Sequence, residues 1–198
     1  MIDEKGYIKY HCNWIKSAPV DNKLIEELNH WRAKFLKLKF IGAYSNGIGY
    51  GNISIRLQGN VFLITGSATG HLEHLTVEHY TRVTTYNFEQ NSLTCEGTIQ
   101  ASSESLTHAA IYESCNQANA VIHIHGKSLW DKLKNAIPTS SPDVEYGTPQ
   151  MAFEIQRLFK ETDLMTKQIL VMAGHEEGII SFGKNLEEAG NVIINYAE

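Results

Sequence analysis

His123 and His125 are separated by one residue in a β-branched run, Val121 to Ile124, and the run closes on Gly126. In a strand, alternate side chains share a face, so both imidazoles point the same way. Their Cα atoms then stand about 6.6 Å apart, close enough for one metal ion to take both rings. Ile122 and Ile124 face the opposite way, into a core. A half-buried strand with a polar face would carry the same pattern, so the rest of the chain has to decide between the two readings.

A catalytic zinc site takes three protein ligands and keeps one position open. His175 offers the third. It follows the apolar run Ile169 to Ala173, and the end of a strand is a good place from which to project a ligand toward a neighbouring strand. Glu176 and Glu177 are competing oxygen donors in the same turn. Glu104 follows two serines at a predicted helix start. A carboxylate there suits the helix dipole; it also suits a general acid/base held beside a metal. The helix that Glu104 opens leads directly into the His123/His125 strand, so a hairpin-like return brings them together.

Three further segments favour an anion. Gly51-Asn52 precedes a strand, Ser67 to Gly70 (with Thr69) follows one, and Ser102-Ser103 opens a helix, where free N–H groups and the dipole attract phosphate. Each is an ordinary turn by itself; three beside strand ends predict a cradle. Of the other histidines, His108 lies four residues after Glu104 and reads as a packed core residue rather than its orienting partner. His71, His74 and His79 read as solvent-facing, with His71 a rim position; His11 and His30 read as structural.

The elements that must position these residues follow from periodicity and turns. After an irregular lead-in of ten or so residues, Asp21 caps a helix to about Leu38, with Leu24, Ile25, Leu28, Trp31, Phe35 and Leu38 as its buried stripe. Four glycines in residues 42–51 predict a loop. Strands follow over 53–57 and 61–65, joined by Gln58-Gly59-Asn60, then over 80–88 and 93–97. Helices are predicted from Ser102 or Ser103 to about Cys115, over 128–134, from Thr148 or Pro149 to Phe159, and over 186–196. Between the last two lie strands over 169–173 and 179–182. Strands that arrive as hairpins give an antiparallel or mixed sheet, not a doubly wound parallel one, with helices on its faces.

The chain has 198 residues, 42% apolar and 20% charged, which suits one domain over 1–198 with a substantial core. A net charge of −5 without a Lys/Arg cluster excludes a binder of nucleic acid that works through phosphate contacts. Three widely spaced cysteines with no C-x-x-C fit free thiols in a reducing compartment. No segment resembles a secretion signal and no apolar run nears the roughly 20 residues of a membrane span. The expectation is a soluble, cytoplasmic protein with no membrane partner.

In order along the chain, Gly51 to Arg56, Ile64 to Gly70, Ala101 to Glu104 with His108 to Tyr112, Val121 to Gly126, and His175 to Ala189 resemble the class II aldolase/adducin family. The resemblance covers about Leu24 to the C-terminus. It implies a three-layer α/β/α sandwich around a mainly antiparallel central sheet. It also implies a zinc-dependent site (another divalent metal would serve) at the subunit boundary of a cyclic homotetramer. Carried over by position, His123 and His125 match the H-x-H ligands and Glu104 the aldolases' glutamate. Gly51, Asn52, Thr69, Gly70, Ser102 and Ser103 match the phosphate-binding segments. In the aldolases the third histidine directly precedes a glycine, whereas here Glu176-Glu177 separates His175 from Gly178. An ungapped match puts Glu177 in the ligand slot; a two-residue insertion restores His175, which completes a three-histidine set. The aldolases' catalytic tyrosine has no clear counterpart: Tyr146 sits close to the next helix, and Tyr196 is the match for a terminal tyrosine.

The expected activity is that of a zinc-dependent aldolase cleaving a ketose phosphate, with the metal stabilising an enediolate and Glu104 moving the proton. An epimerase or dehydratase can use the same site, although the epimerases carry an aspartate at position 104. Adducin head domains share the fold but lose the ligands, which this chain keeps. Replacing His123 or His125 with Ala is therefore expected to abolish bound metal in purified protein. Elemental analysis checks this; full zinc occupancy in either variant would contradict the assignment.

Overall fold

The computed structural model describes residues 10–198, so the predicted lead-in lies outside the described residues apart from Tyr10. In chain order the strands are β1 (His11–Lys16), β2 (Gly42–Ala43), β3 (Gly49–Tyr50), β4 (Asn52–Arg56), β5 (Phe62–Thr65), β6 (Tyr80–Asn87), β7 (Ser92–Gly97), β8 (Ala120–His125), β9 (Ile169–Val171) and β10 (Gly178–Gly183). The α-helices are α1 (Glu26–Lys37), α2 (Ser105–Ser114), α3 (Lys127–Leu133), α4 (Pro149–Glu161), α5 (Leu164–Lys167) and α6 (Leu186–Ala197). Eight strands form one sheet in the order β1-β7-β6-β5-β4-β8-β10-β9, and β2 pairs with β3 as a small separate hairpin. Only β1 and β7 run parallel within the large sheet; its other pairings are antiparallel.

Helices cover both faces of this sheet. Ile53, Ile122, Ile124 and Ile179 pack against Trp31 and Phe35 of α1, Leu129 of α3 and Ile193 of α6. On the opposite face, Phe62, Val121 and Ile180 pack against Leu106 and Ala109 of α2 and Ile155 of α4. The isoleucines that alternate with His123 and His125 thus anchor β8 to one layer, which leaves the histidines facing the other. All six residues of β8 are buried. The strand lies between β4 and β10, with Asn52 opposite His123 and Gly178 opposite His125.

Several expectations shift in detail. The helix predicted from Asp21 is split: Asp21 accepts from the Lys23 N–H at 2.9 Å and caps a single 3-10 turn (Asn22–Leu24), after which α1 begins. Thr148 caps α4 with Pro149 at its first position, as expected. Ser102 and Ser103 do not cap α2. The Ser102 carbonyl accepts from both the N–H (3.0 Å) and the hydroxyl (2.6 Å) of Ser105, which makes a turn that delays the helix to Ser105. Glu104 occupies the capping position, without a side-chain bond to the helix backbone. Part of the glycine-rich loop is the β2–β3 hairpin, and β1 and α5 are elements the sequence reading lacked. Cys12 and Trp14 of β1 are partly buried and pack against the core, so this short edge strand carries the expected alternation.

His108 is packed in the core, as the sequence reading favours. Fully buried, it lies with Nδ1 2.7 Å from Ser54 Oγ, which in turn meets the Tyr112 hydroxyl at 2.7 Å. Its Nε2 has no hydrogen-bond partner among the described residues. Burial pushes this imidazole down to about 3, so the folded protein holds it neutral. The unfolded chain takes up a proton there below its ordinary value near 6.5, so the folded state loses stability as pH falls from about 6.5 toward 3. Between pH 6.5 and 5 the expected loss from this residue is about 2 kcal/mol. Denaturant titrations check it: His108→Asn, less stable throughout, should lose about one proton's worth of the acid slope. An unchanged slope would contradict the assignment.

Candidate active site

The sheet register determines where the histidines meet. His123 and His125 share one face of β8, on the side of α2 and α4. His175 reaches them from the turn that joins β9 to β10, where the His175 carbonyl accepts from the Gly178 N–H at 2.9 Å. A side chain at Gly178 would put its Cβ 2.7 Å from the His175 ring, so glycine there allows the imidazole to fold back over the turn. One ligand nitrogen from each of His123, His125 and His175 lies within 4.8 Å of the other two. The Nε2 atoms of His125 and His175 are 3.1 Å apart. Two nitrogens each about 2.05 Å from a tetrahedral zinc would stand about 3.4 Å apart, so the His125–His175 pair is close to the spacing a cation requires.

The chemistry of the donor set fits a divalent cation. His123 is fully buried, and its Nε2 has no hydrogen-bond partner among the described residues. Burial first, then the neighbouring His125 and His175, hold this imidazole well below its ordinary range. It is therefore neutral, the form in which a histidine binds metal. The Asn52 side-chain amide lies 3.2 Å from His123 Nδ1, across the β4–β8 pairing. Asn52 Oδ1 is also buried without a partner among the described residues. Turning the amide brings Oδ1 to accept from Nδ1–H, which satisfies that atom and leaves the Nε2 lone pair for a metal.

Glu104 is the nearest buried carboxylate, 2% exposed, with Oε1 3.9 Å from His175 Nε2. Its other oxygen accepts from the Thr107 hydroxyl at 2.7 Å. Thr107, one turn along α2, is the residue that orients Glu104; His108 points instead into the core. Gly51, Asn52, Thr69, Gly70, Ser102, Ser103, Glu104, His123, His125 and His175 all line one cleft of about 810 Å³. Within it, the Asn52 amide is engaged with His123 and the Thr69 hydroxyl donates to the Gly66 carbonyl at 2.9 Å. Gly66 bridges to Ala101, and this joins the loop before Gly70 to the segment before Ser102. Behind the cradle, the buried guanidinium of Arg32 donates to the carbonyls of Thr69, Gly70, Leu72 and Glu73. It holds the loop's carbonyls toward α1 and away from the cleft. His71 does not line the cleft.

Three aromatic residues of the cleft were not assigned from sequence. Tyr146 packs tilted against His175 with ring centroids 4.1 Å apart, although its place just before α4 had set it aside. Tyr50 stacks on His125 at 5.3 Å, and the Tyr44 hydroxyl touches both His125 and Glu177. Burial, then the bond to Glu177, pushes the Tyr44 phenol up. Tyr44 and Tyr50 belong to a glycine-rich segment whose only sequence signal was flexibility. Two non-glycine residues of the cleft, Ala68 (φ 58°) and Glu177 (φ 70°), have left-handed backbone, a conformation that costs about 1–2 kcal/mol each.

A family model for the class II aldolase and adducin N-terminal domain matches residues 43–198. The chain belongs to that family. An L-fuculose 1-phosphate aldolase structure superposes with a TM-score of 0.68 at 17% identity, covering 90% of this chain and 84% of that one. The L-fuculose-1-phosphate aldolase of Thermus thermophilus gives 0.62 at 21%, over 88% and 90%. A sugar-phosphate aldolase from Thermotoga maritima gives 0.64 at 15%, over 88% and 91%. At these identities the likeness establishes the class II aldolase fold. No curated protein sequence matches significantly. Class II aldolases are metal-dependent, and this member keeps a three-histidine group able to hold a metal. No helix among the described residues is long and apolar enough to cross a membrane.

Gly70 lies where the cradle meets the β2–β3 hairpin. A Cβ there would stand 2.1 Å from the Gly42 carbonyl oxygen and 2.9 Å from Gly49 Cα, both main-chain atoms. Gly70→Ala must therefore push the hairpin off the cradle, at an expected cost of about 1–3 kcal/mol. Thermal melting checks the loss. A variant that melts with the parent would contradict this packing.

Proposed function

We propose that this family member is a zinc-dependent lyase that cleaves a ketose phosphate by aldol chemistry. The observation that carries the reading is the convergence of three imidazole nitrogens within 4.8 Å of one another, beside a buried glutamate. His123, His125 and His175 would hold the ion. Bound there, a divalent cation supplies Lewis-acid stabilisation for negative charge that develops on substrate oxygen.

The chain's own residues would do the rest. Glu104 holds and returns the proton at the carbon next to the substrate carbonyl, and Thr107 keeps one carboxylate oxygen fixed while the other faces the cluster. Gly51, Thr69, Gly70, Ser102 and Ser103 bind the phosphate end, with Asn52 shared between that end and His123. The Tyr146 ring, packed against His175, walls the cleft against water. A buried glutamate beside three histidines also suits epimerisation or dehydration of a sugar phosphate. Three free cysteines suit a reducing compartment, here read as the cytoplasm, and the working form is read as a homotetramer.

A screen of ketose phosphates on metal-replete protein tests the reading. The expected product is a free aldehyde, and Glu104→Gln is expected to lower kcat by about 10²–10⁴-fold with bound metal unchanged. Loss of water, or an epimer, with no carbon–carbon cleavage across the panel would contradict the lyase assignment.

A further inference from the structure

We propose that Tyr44 and Glu177 form a positioning relay that presents His125 to the metal, with Glu177 acting through Tyr44 and not as a ligand. The inference rests on the metal reading of the histidine cluster. The Tyr44 oxygen lies 2.8 Å from His125 Nδ1 and 2.7 Å from Glu177 Oε2. Glu177 Oε2 is 3.8 Å from His125 Nδ1, too far for a direct bond, so the hydroxyl is the bridge.

The direction of this chain follows from proton counting. A phenol has one hydrogen, and an ionised carboxylate only accepts. Tyr44 therefore donates to Glu177, and its oxygen accepts from His125 Nδ1–H. That places the imidazole proton on Nδ1 and leaves the Nε2 lone pair facing His175 Nε2, 3.1 Å away. The ring planes are held as well: Tyr44 packs on Tyr50 at 4.6 Å, and Tyr50 stacks on His125 at 5.3 Å and 29°. Glu177 is held in place on the main chain, since its carbonyl accepts from the Gly126 N–H at 3.0 Å, next to His125. His125 and His123 thus receive the same tautomer from two different devices, a phenol backed by a carboxylate and a buried amide.

The test is zinc affinity, measured by competition with a chromophoric chelator, together with the visible spectrum of the cobalt-loaded protein. Tyr44→Phe keeps the ring against Tyr50, and Tyr44 is 37% exposed, so the metal-free variant should melt close to the parent. Tyr44→Phe and Glu177→Ala are each expected to weaken zinc binding by about 10–100-fold. The double variant should be no weaker than the worse single one, because both cut the same relay. Glu177→Gln, which still accepts from Tyr44, should recover part of the affinity lost in Glu177→Ala. The cobalt spectrum should keep its ligand-field bands in every variant, since three nitrogens remain. Parental affinity in Tyr44→Phe would overturn the relay, as would a Glu177→Ala loss as complete as that of His123→Ala. A parent protein that takes up no zinc would instead overturn the metal reading on which the relay rests.

Discussion

His123 lies buried in the middle of the large sheet with two more imidazoles beside it, and burial and those neighbours hold it neutral. Much of the structure around the cleft of this class II aldolase family member bears on that ring. Burial strips water from the His123 ring, and the neighbouring His125 and His175 penalise any proton added to it. His123 carries the greatest burden, because it is fully buried with an unpartnered Nε2. Its position is held from both sides by the pairing of β8 with β4 and β10, and from behind by isoleucines packed under α1, α3 and α6. Small shifts of the strand are resisted by the whole sheet, so the spacing of His123 and His125 is a property of the sheet, while the β9–β10 turn brings His175 to them.

The cleft walls show a different economy. They are built from loops, and the loops are held by contacts to their main chain. Arg32 does this for the Thr69–Glu73 segment through four carbonyls, the Gly66–Ala101 bridge does it between two loops, and the Ser102 turn delivers Glu104. The strained residues Ala68 and Glu177 both line the cleft, where local backbone cost is offset by the surrounding structure. The histidine end of the cleft thus rests mainly on the sheet, and the opposite end on braced loops.

Much of this was legible in the chain. The alternation of His123 and His125 with isoleucines stated both the strand and its two faces. Gly-containing turns between short apolar runs gave the hairpins, and hence the antiparallel character of the sheet. The ordered series from Gly51-Asn52 to His175 gave the cleft. What escaped was tertiary. Thr107 and Arg32 act on groups they meet only after folding, and nothing in a helical stripe marks a residue that will serve a loop's carbonyls. Tyr44 and Tyr50 were hidden by the glycines around them, and Tyr146 by its place next to α4. Strand β1 was missed because a short, largely polar edge strand resembles a lead-in until its parallel partner is known.

The central claim is that His123, His125 and His175, and not the Glu177 carboxylate, are the protein ligands of one bound cation. X-ray absorption fine structure on the zinc-loaded protein tests it most directly. Three imidazole nitrogens at about 2.0–2.1 Å, with their outer-ring scattering, are expected together with one non-imidazole oxygen ligand. Two imidazoles, or a thiolate sulfur in the first coordination sphere, would contradict it.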